Sequence, residues 1–219
     1  MAYDELTAPG QVARPRADSR AVFGQVMGLV AITVGFTALG AYLGRDLSGG
    51  AGILCFILGF GCLLGLNVAA RRSERLAITL LFAFGLLLGL ALGPTLAVYA
   101  DKNPAVVWQA AGCTALFIGA LGSWGYATQR DLSRYARTFF FALLGLIGFG
   151  IVAIFVTIPH ENVIYAVLGL VIFGGLTAFD FQRLRHAGME SAVPIAASIF
   201  LDVLNVFQFF LILLGGGRN

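Results

Sequence analysis

The amino-acid sequence predicts an all-α integral membrane protein with seven transmembrane helices, and three observations carry that prediction. Hydrophobic residues make up 59% of the 219-residue chain and charged residues 11%, with a mean hydropathy of +0.90. A soluble domain has about 25% charged and about 45–50% apolar residues. The apolar residues lie in runs of about 20 or more, the length at which a helix crosses a hydrocarbon core of about 30 Å. The basic residues alternate from one connection to the next, as the positive-inside rule requires. This composition excludes a water-soluble globule, a disordered chain, collagen and a coiled coil. A net charge of +3, scattered rather than gathered on one face, leaves no nucleic-acid footprint.

The spans cover 21–44, 51–70, 76–100, 105–127, 138–158, 163–182 and 192–214, between a polar tail at 1–20 and a short tail at 215–219. Each is a helix because in lipid every backbone N–H and C=O must be satisfied within its own segment. The first span follows Arg14, Arg16 and Arg20 in a tail of mixed charge (Asp4, Glu5, Asp18) with no apolar h-region, so no signal peptide is expected. The second carries Cys55 and Cys62, which with Cys113 form no disulfide framework, and it ends at Arg71, Arg72 and Arg75. In the third, Gly85, Gly89 and Gly93 repeat at four-residue spacing as a small-residue packing face, and Pro94 should kink the helix. Trp108, Trp124 and Tyr126 mark the ends of the fourth span, as Tyr42, Tyr99 and Tyr165 do elsewhere. The fifth follows Arg130, Arg134 and Arg137. Its Gly148 and Gly150 are no nucleotide fingerprint, because no strand precedes them. The sixth ends beside Arg183 and Arg185, and the seventh opens on Ser191 as N-cap with Pro194 in its first turn. With the N-terminus inside, these eleven arginines are cytoplasmic, against Arg45, Lys102 and Arg218 outside. The N-terminus is therefore expected in the cytoplasm and the C-terminus outside. His160 and His186 fall on opposite sides and share no metal.

Of eleven acidic residues, nine lie in the tail or connections: Asp4, Glu5, Asp18, Asp46, Glu74, Asp101, Asp131, Glu161 and Glu190. Asp180 and Asp202 do not. An acid at the centre of an inserting helix costs about 2.5–3.5 kcal/mol, and such residues mark function by default. Ser191, Ser198 and Asn205 share a helical face with Asp202, so the seventh span turns a polar stripe into the bundle. Asp180 has two readings: an interfacial acid neutralised by Arg183 or Arg185 near Gln182, or the partner of Asp202. Two carboxylates in contact cannot comfortably both ionise, so a pair would share a proton. Protonated it is a latch between the last two helices; deprotonated it is a weak hard-oxygen site for Ca²⁺. From the expected inner boundaries Asp180 lies about 3 Å deep and Asp202 about 15 Å. They meet only if the seventh helix starts below the surface or the inner side is wet.

Three segments resemble the Bax inhibitor-1 family, also called the transmembrane Bax-inhibitor-motif family. These are Gly89-Leu-Ala-Leu-Gly93-Pro94-Thr95-Leu96 leading to Ala110 and Thr114-Ala115-Leu116-Phe117, then Phe179-Asp180-Phe181-Gln182-Arg183, and Leu201-Asp202-Val203-Leu204-Asn205-Val206-Phe207. The resemblance spans nearly all of the chain after residue 20. It implies a seventh helix wrapped by the other six. It also implies a pH-sensitive Ca²⁺ leak gated by Asp180 and Asp202, with Arg71 or Arg72 pairing with one acid; Ser198 and Asn205, on the polar face of Asp202, would support that gate. The second span has no carboxylate, a departure from members that use one there. Some bacterial relatives instead modulate a membrane-bound ATP-dependent protease, the alternative reading. An intramembrane aspartyl protease is disfavoured, because Ser198-Ile199-Phe200-Leu201 precedes Asp202 and no proline follows it. The expectation is a non-enzyme of the bacterial inner membrane, its oligomeric state left open by the sequence with a monomer favoured, and with no cofactor beyond Ca²⁺ or H⁺ as the transported or regulatory ion. Its partners would be the bilayer and a membrane protein such as that protease.

Overall fold

The computed structural model describes residues 19–156 and 160–216. Seven helices run through them: α1 (Ser19–Leu43), α2 (Gly49–Ala69), α3 (Glu74–Lys102), α4 (Pro104–Ala127), α5 (Ala136–Phe155), α6 (Glu161–Arg185) and α7 (Ala192–Gly215). Short 3₁₀ turns at Ser133–Tyr135 and Met189–Ser191 lead into α5 and α7. Each of the seven is long and apolar enough to cross a bilayer, and the described residues contain no strand. The protein is a seven-helix membrane protein. Arg14, Arg16, Arg218 and the acids of the N-terminal tail lie outside the described residues, as does the end of the expected fifth span.

Several helices run past the hydrocarbon boundaries that hydropathy marks. Glu74, Arg75, Asp101 and Lys102 read as connection by charge but continue α3 as helix, since charged side chains at a helix end reach water without breaking backbone bonds. The α3–α4 connection shrinks to Asn103. Its amide N–H donates to the Tyr99 carbonyl and its side chain accepts from the Ala105 N–H at 3.2 Å, with Pro104 at the first helical position. Ser73 caps α3 by accepting from Leu76 N–H at 3.4 Å. Ser191 precedes α7 but makes no side-chain cap, because a 3₁₀ turn occupies that entry.

α3 lies against α1 and α2, α6 against α4 and α7, and α5 leans chiefly on α6. α7 touches α1, α2, α3, α4 and α6 and buries residues along its whole length, from Ala192 to Leu211. Edge-on contacts such as Phe84–Phe200 at 5.7 Å tie it to α3. In lipid there is little hydrophobic drive to pull helices together, so close approach depends on small residues. On α3 a Cβ at Gly85, Gly89 or Gly93 would strike Thr33, Thr37, Ala41 or Gly44 of α1 and the residue after it. Gly44 sits over the Leu90 carbonyl, the acceptor that Pro94 four residues later leaves without an N–H; α3 runs unbroken through that position.

The two ends of the bundle are chemically unequal. Gln25 of α1 donates to Glu74 of α3 at 2.9 Å, and Arg185 of α6 donates to the carbonyls of Tyr126 and Thr128. The entries to α1 and α3 and the α4–α5 and α6–α7 connections therefore share the arginine-rich end, with Arg20, Arg71, Arg72, Arg75, Arg130, Arg134, Arg137, Arg183 and Arg185. Arg45 and Lys102 lie at the other.

Candidate functional site: two acids on the α6–α7 seam

α6 and α7 pack antiparallel, and one register runs along the seam. The Phe209 ring lies against Gly169, where a Cβ would collide with it. Further along, the Thr177 hydroxyl approaches the Asp202 carboxyl and the Ser198 hydroxyl approaches the Asp180 carboxyl. Each acid thus faces a hydroxyl of the opposite helix. Asp202 lies one turn, about 6 Å along the axis, from the level of Asp180. Both are buried, Asp180 at 6% and Asp202 at 3% exposure. Their carboxyls are close enough to interact electrostatically, but among the described residues no hydrogen bond joins them.

α6 extends to Arg185 rather than stopping at 182, so Asp180 lies about 7 Å inside the helix end instead of about 3 Å. The register of the seam, with Ser198 at Asp180 and Thr177 at Asp202, brings the two acids to within one turn of each other.

The two carboxyls have different surroundings. Asp180 accepts from Arg183 at 2.9 Å, three residues along its own helix, and the Arg183 guanidinium lies 5.7 Å from the Phe179 ring centre. Asp180 is thus paired with an arginine of its own helix, yet it is buried rather than interfacial and lies near Asp202. Asp202 has no cation, and its Oδ2 is buried without a hydrogen-bond partner. A buried polar atom left unpaired is costly, and few occur in a folded protein. Thr177, its neighbour, gives its own proton to the Phe173 carbonyl at 2.7 Å.

Other candidates fall elsewhere. Arg71 and Arg72 stand exposed in the turn after α2 and form no ion pair among the described residues; the arginine that reaches an acid is Arg183. Local spacing explains this, since residues three apart on a helix are neighbours. The Asn205 amide donates back to the Leu201 carbonyl at 2.8 Å, so Ser198 reaches an acid and Asn205 serves its own helix. Gly85, Gly89, Gly93 and Pro94 lie at the α1–α3 contact. No group of three or more His, Cys, Asp or Glu converges among the described residues. Two acids and two hydroxyls carry six oxygens, the lower limit of the 6–8 that Ca²⁺ takes, and one Asp180 oxygen is already engaged by Arg183, so water would complete the shell and binding would be weak.

Sequence reasoning passed over Thr177 and the structural use of Gln182. Thr177 precedes Asp180 by three residues on the same face, a legible signal. Gln182 accepts from Leu132 N–H at 2.9 Å and donates to the Arg130 carbonyl at 2.6 Å. It thereby fixes the α4–α5 connection against α6. Tight α4–α6 packing makes this reach possible, because Gly125 lies on the Ala178 backbone and Gly122 on the Phe181 ring. In that connection Asp131 accepts from the Ser133 hydroxyl at 2.6 Å and its N–H at 2.9 Å. These bonds, the hydroxyl's first, hold the Asp131 carboxyl below its ordinary range.

The bundle and its seam define a class: a polytopic α-helical membrane protein with two buried acids between its last two helices. The match to the family model described as "Inhibitor of apoptosis-promoting Bax1" covers residues 19–219. The chain belongs to the Bax inhibitor family. It is 26% identical to "Inner membrane protein YbhL" of Escherichia coli over 98% of this chain and all of that protein. It is 29% identical to an uncharacterized protein of Helicobacter pylori over 73% of this chain and 70% of that one. A third relative, an uncharacterized protein of Caulobacter vibrioides, is 34% identical over 61% of this chain and 56% of that one.

Proposed function

We propose that the protein is a pH-sensitive cation leak, with Ca²⁺ as cargo, whose gate is Asp180 and Asp202 on the α6–α7 seam. One observation carries this reading: Asp202 is 3% exposed in the most buried helix, beside a second acid, with one oxygen unpaired. A seam built only for packing would place an apolar residue there, since a buried unpaired charge is the costliest group a fold can hold. With a proton on Asp202 the seam is closed and neutral at that level. Loss of the proton puts two like charges on facing helices and parts them, and the freed oxygens receive a hard cation from the arginine-rich end. Arg183 engages Asp180, so Asp202, which has no cation, is the group proposed to switch. The inner-membrane name of the YbhL relative and the arginine asymmetry support a bacterial inner-membrane location, with the N-terminus in the cytoplasm. The protein is proposed to act without catalysis.

The test is Ca²⁺ entry into liposomes holding the purified protein, followed with an encapsulated indicator across a pH series. Flux should rise with pH in the wild type. In Asp202→Asn, of nearly identical shape, it should be flat. A wild-type pH profile in a folded Asp202→Asn protein would remove the gate.

A further inference from the structure

At the arginine-rich end a cavity of about 480 Å³ opens between the α4–α5 connection, the end of α6 and the start of α7. This volume is within the range of small-ligand sites. Arg130, Arg183 and Arg185 line it, with Phe179 and Ile195 as its apolar side. We propose that it is a binding site for a phosphate group, carried by the headgroup of an anionic phospholipid.

The arginines are held in place, which separates this cavity from the general excess of positive charge on the same end. Arg185 Nη1 donates to the Tyr126 and Thr128 carbonyls at 3.0 and 3.1 Å. Those acceptors orient the guanidinium without cancelling its charge. Its Nη2 lies 3.4 Å from His186 Nε2, and His186 Nδ1 lies 3.0 Å from the Gln182 carbonyl. A proton on Nδ1 satisfies both contacts. Arg183 is anchored by Asp180 and keeps 44% of its side chain exposed. Arg130 is exposed and makes no ion pair among the described residues, while Gln182 holds its backbone over the cavity.

Asp131 also lines the cavity, but the bonded oxygen accepts from Ser133 within its own turn. Three guanidiniums against Asp131 and Asp180 leave a positive balance. Guanidinium pairs grip phosphate oxygens in forked geometry, and basic pockets between helices on the cytoplasmic side bind lipid headgroups. Phe179 and Ile195 favour a lipid over free phosphate, since they offer apolar surface to the glycerol and upper acyl chain. Occupancy would also draw Arg183 between the phosphate and Asp180, so a bound lipid would loosen the ion pair on the α6–α7 seam. Binding itself requires no flux.

The test is native mass spectrometry of the full chain in neutral detergent with equal amounts of phosphatidylglycerol and phosphatidylcholine. The wild type should retain one phosphatidylglycerol in preference. Arg130→Gln, whose side chain holds no other part of the fold, should cut that preference about fivefold, the effect of one surface arginine on an anionic headgroup. Arg75→Gln, at the same end but outside the cavity, should leave it unchanged. Millimolar inorganic phosphate should displace the lipid only weakly. Equal loss in Arg75→Gln, or full preference in a doubly substituted Arg130→Gln, Arg185→Gln protein with wild-type thermal stability, would overturn the site. Inorganic phosphate binding as tightly as the lipid would overturn the lipid as its source.

Discussion

Asp131 and Gln182 show how single side chains hold the α4–α5 connection where it can face α6. Asp131 is fully exposed to solvent, so its bonds to Ser133 act locally and their pH dependence is simple. Its carboxyl sits below the ordinary value of about 3.9. The contribution to order is therefore complete above that value and lost as pH falls through the lower, folded one. The Ser133 amide signal in NMR should titrate with a midpoint below about 3.9; a midpoint at or above it would contradict the turn. Gln182→Leu leaves the Leu132 N–H and Arg130 carbonyl without their partner, at a cost of about 1–3 kcal/mol. Hydrogen exchange should rise across 130–132 while the α1–α3 contact keeps its protection. At this scale the sequence exposed the acids by their hydrocarbon setting and placed Gln182 in a recognisable motif. It did not expose the use of Gln182, because the Leu132 and Arg130 groups it binds are some fifty residues away.

Helix pairs show the same division between local pattern and distant contact. The four-residue glycine repeat of α3 was legible, and the structure sets it against Thr37 and Gly44 at the α1 side, with backbone on backbone. Gly89→Leu should therefore destabilise the bundle by about 3 kcal/mol or more, the upper range for overpacking. Gly61→Ala, where a Cβ meets open space, should be near neutral. Thermal unfolding in detergent distinguishes the two, and equal effects would mean the α1–α3 contact is looser than described. Gly122 and Gly125 of α4 carry no such repeat, and only their contact with α6 gives them meaning. Helix ends were also misjudged by hydropathy, which reports where charge begins rather than where hydrogen bonding stops. α6 therefore runs three residues past its expected end, to Arg185.

Across the whole molecule, the arginine asymmetry predicts sidedness that labelling can read. A cysteine placed at Ser133 in a chain lacking Cys55, Cys62 and Cys113 should react with a membrane-impermeant thiol reagent only after spheroplasts are opened. One at Ser48 should react in intact spheroplasts. The reverse pattern would invert the proposed orientation and put the anion cavity on the wrong leaflet. Seven helices, their order and an arginine-rich end follow from the sequence by itself, because the bilayer imposes span length, backbone pairing and charge placement residue by residue. Tertiary structure alone decided that Arg71 and Arg72 stay away from both acids, which leaves Asp180 to the Arg183 of its own helix. It also decided that Asp202 faces Thr177 with an oxygen unpaired, and that three arginines from two segments surround one cavity. Those outcomes depend on the register between helices, which is set by the shapes of side chains far apart in the chain and leaves no periodic mark on either one.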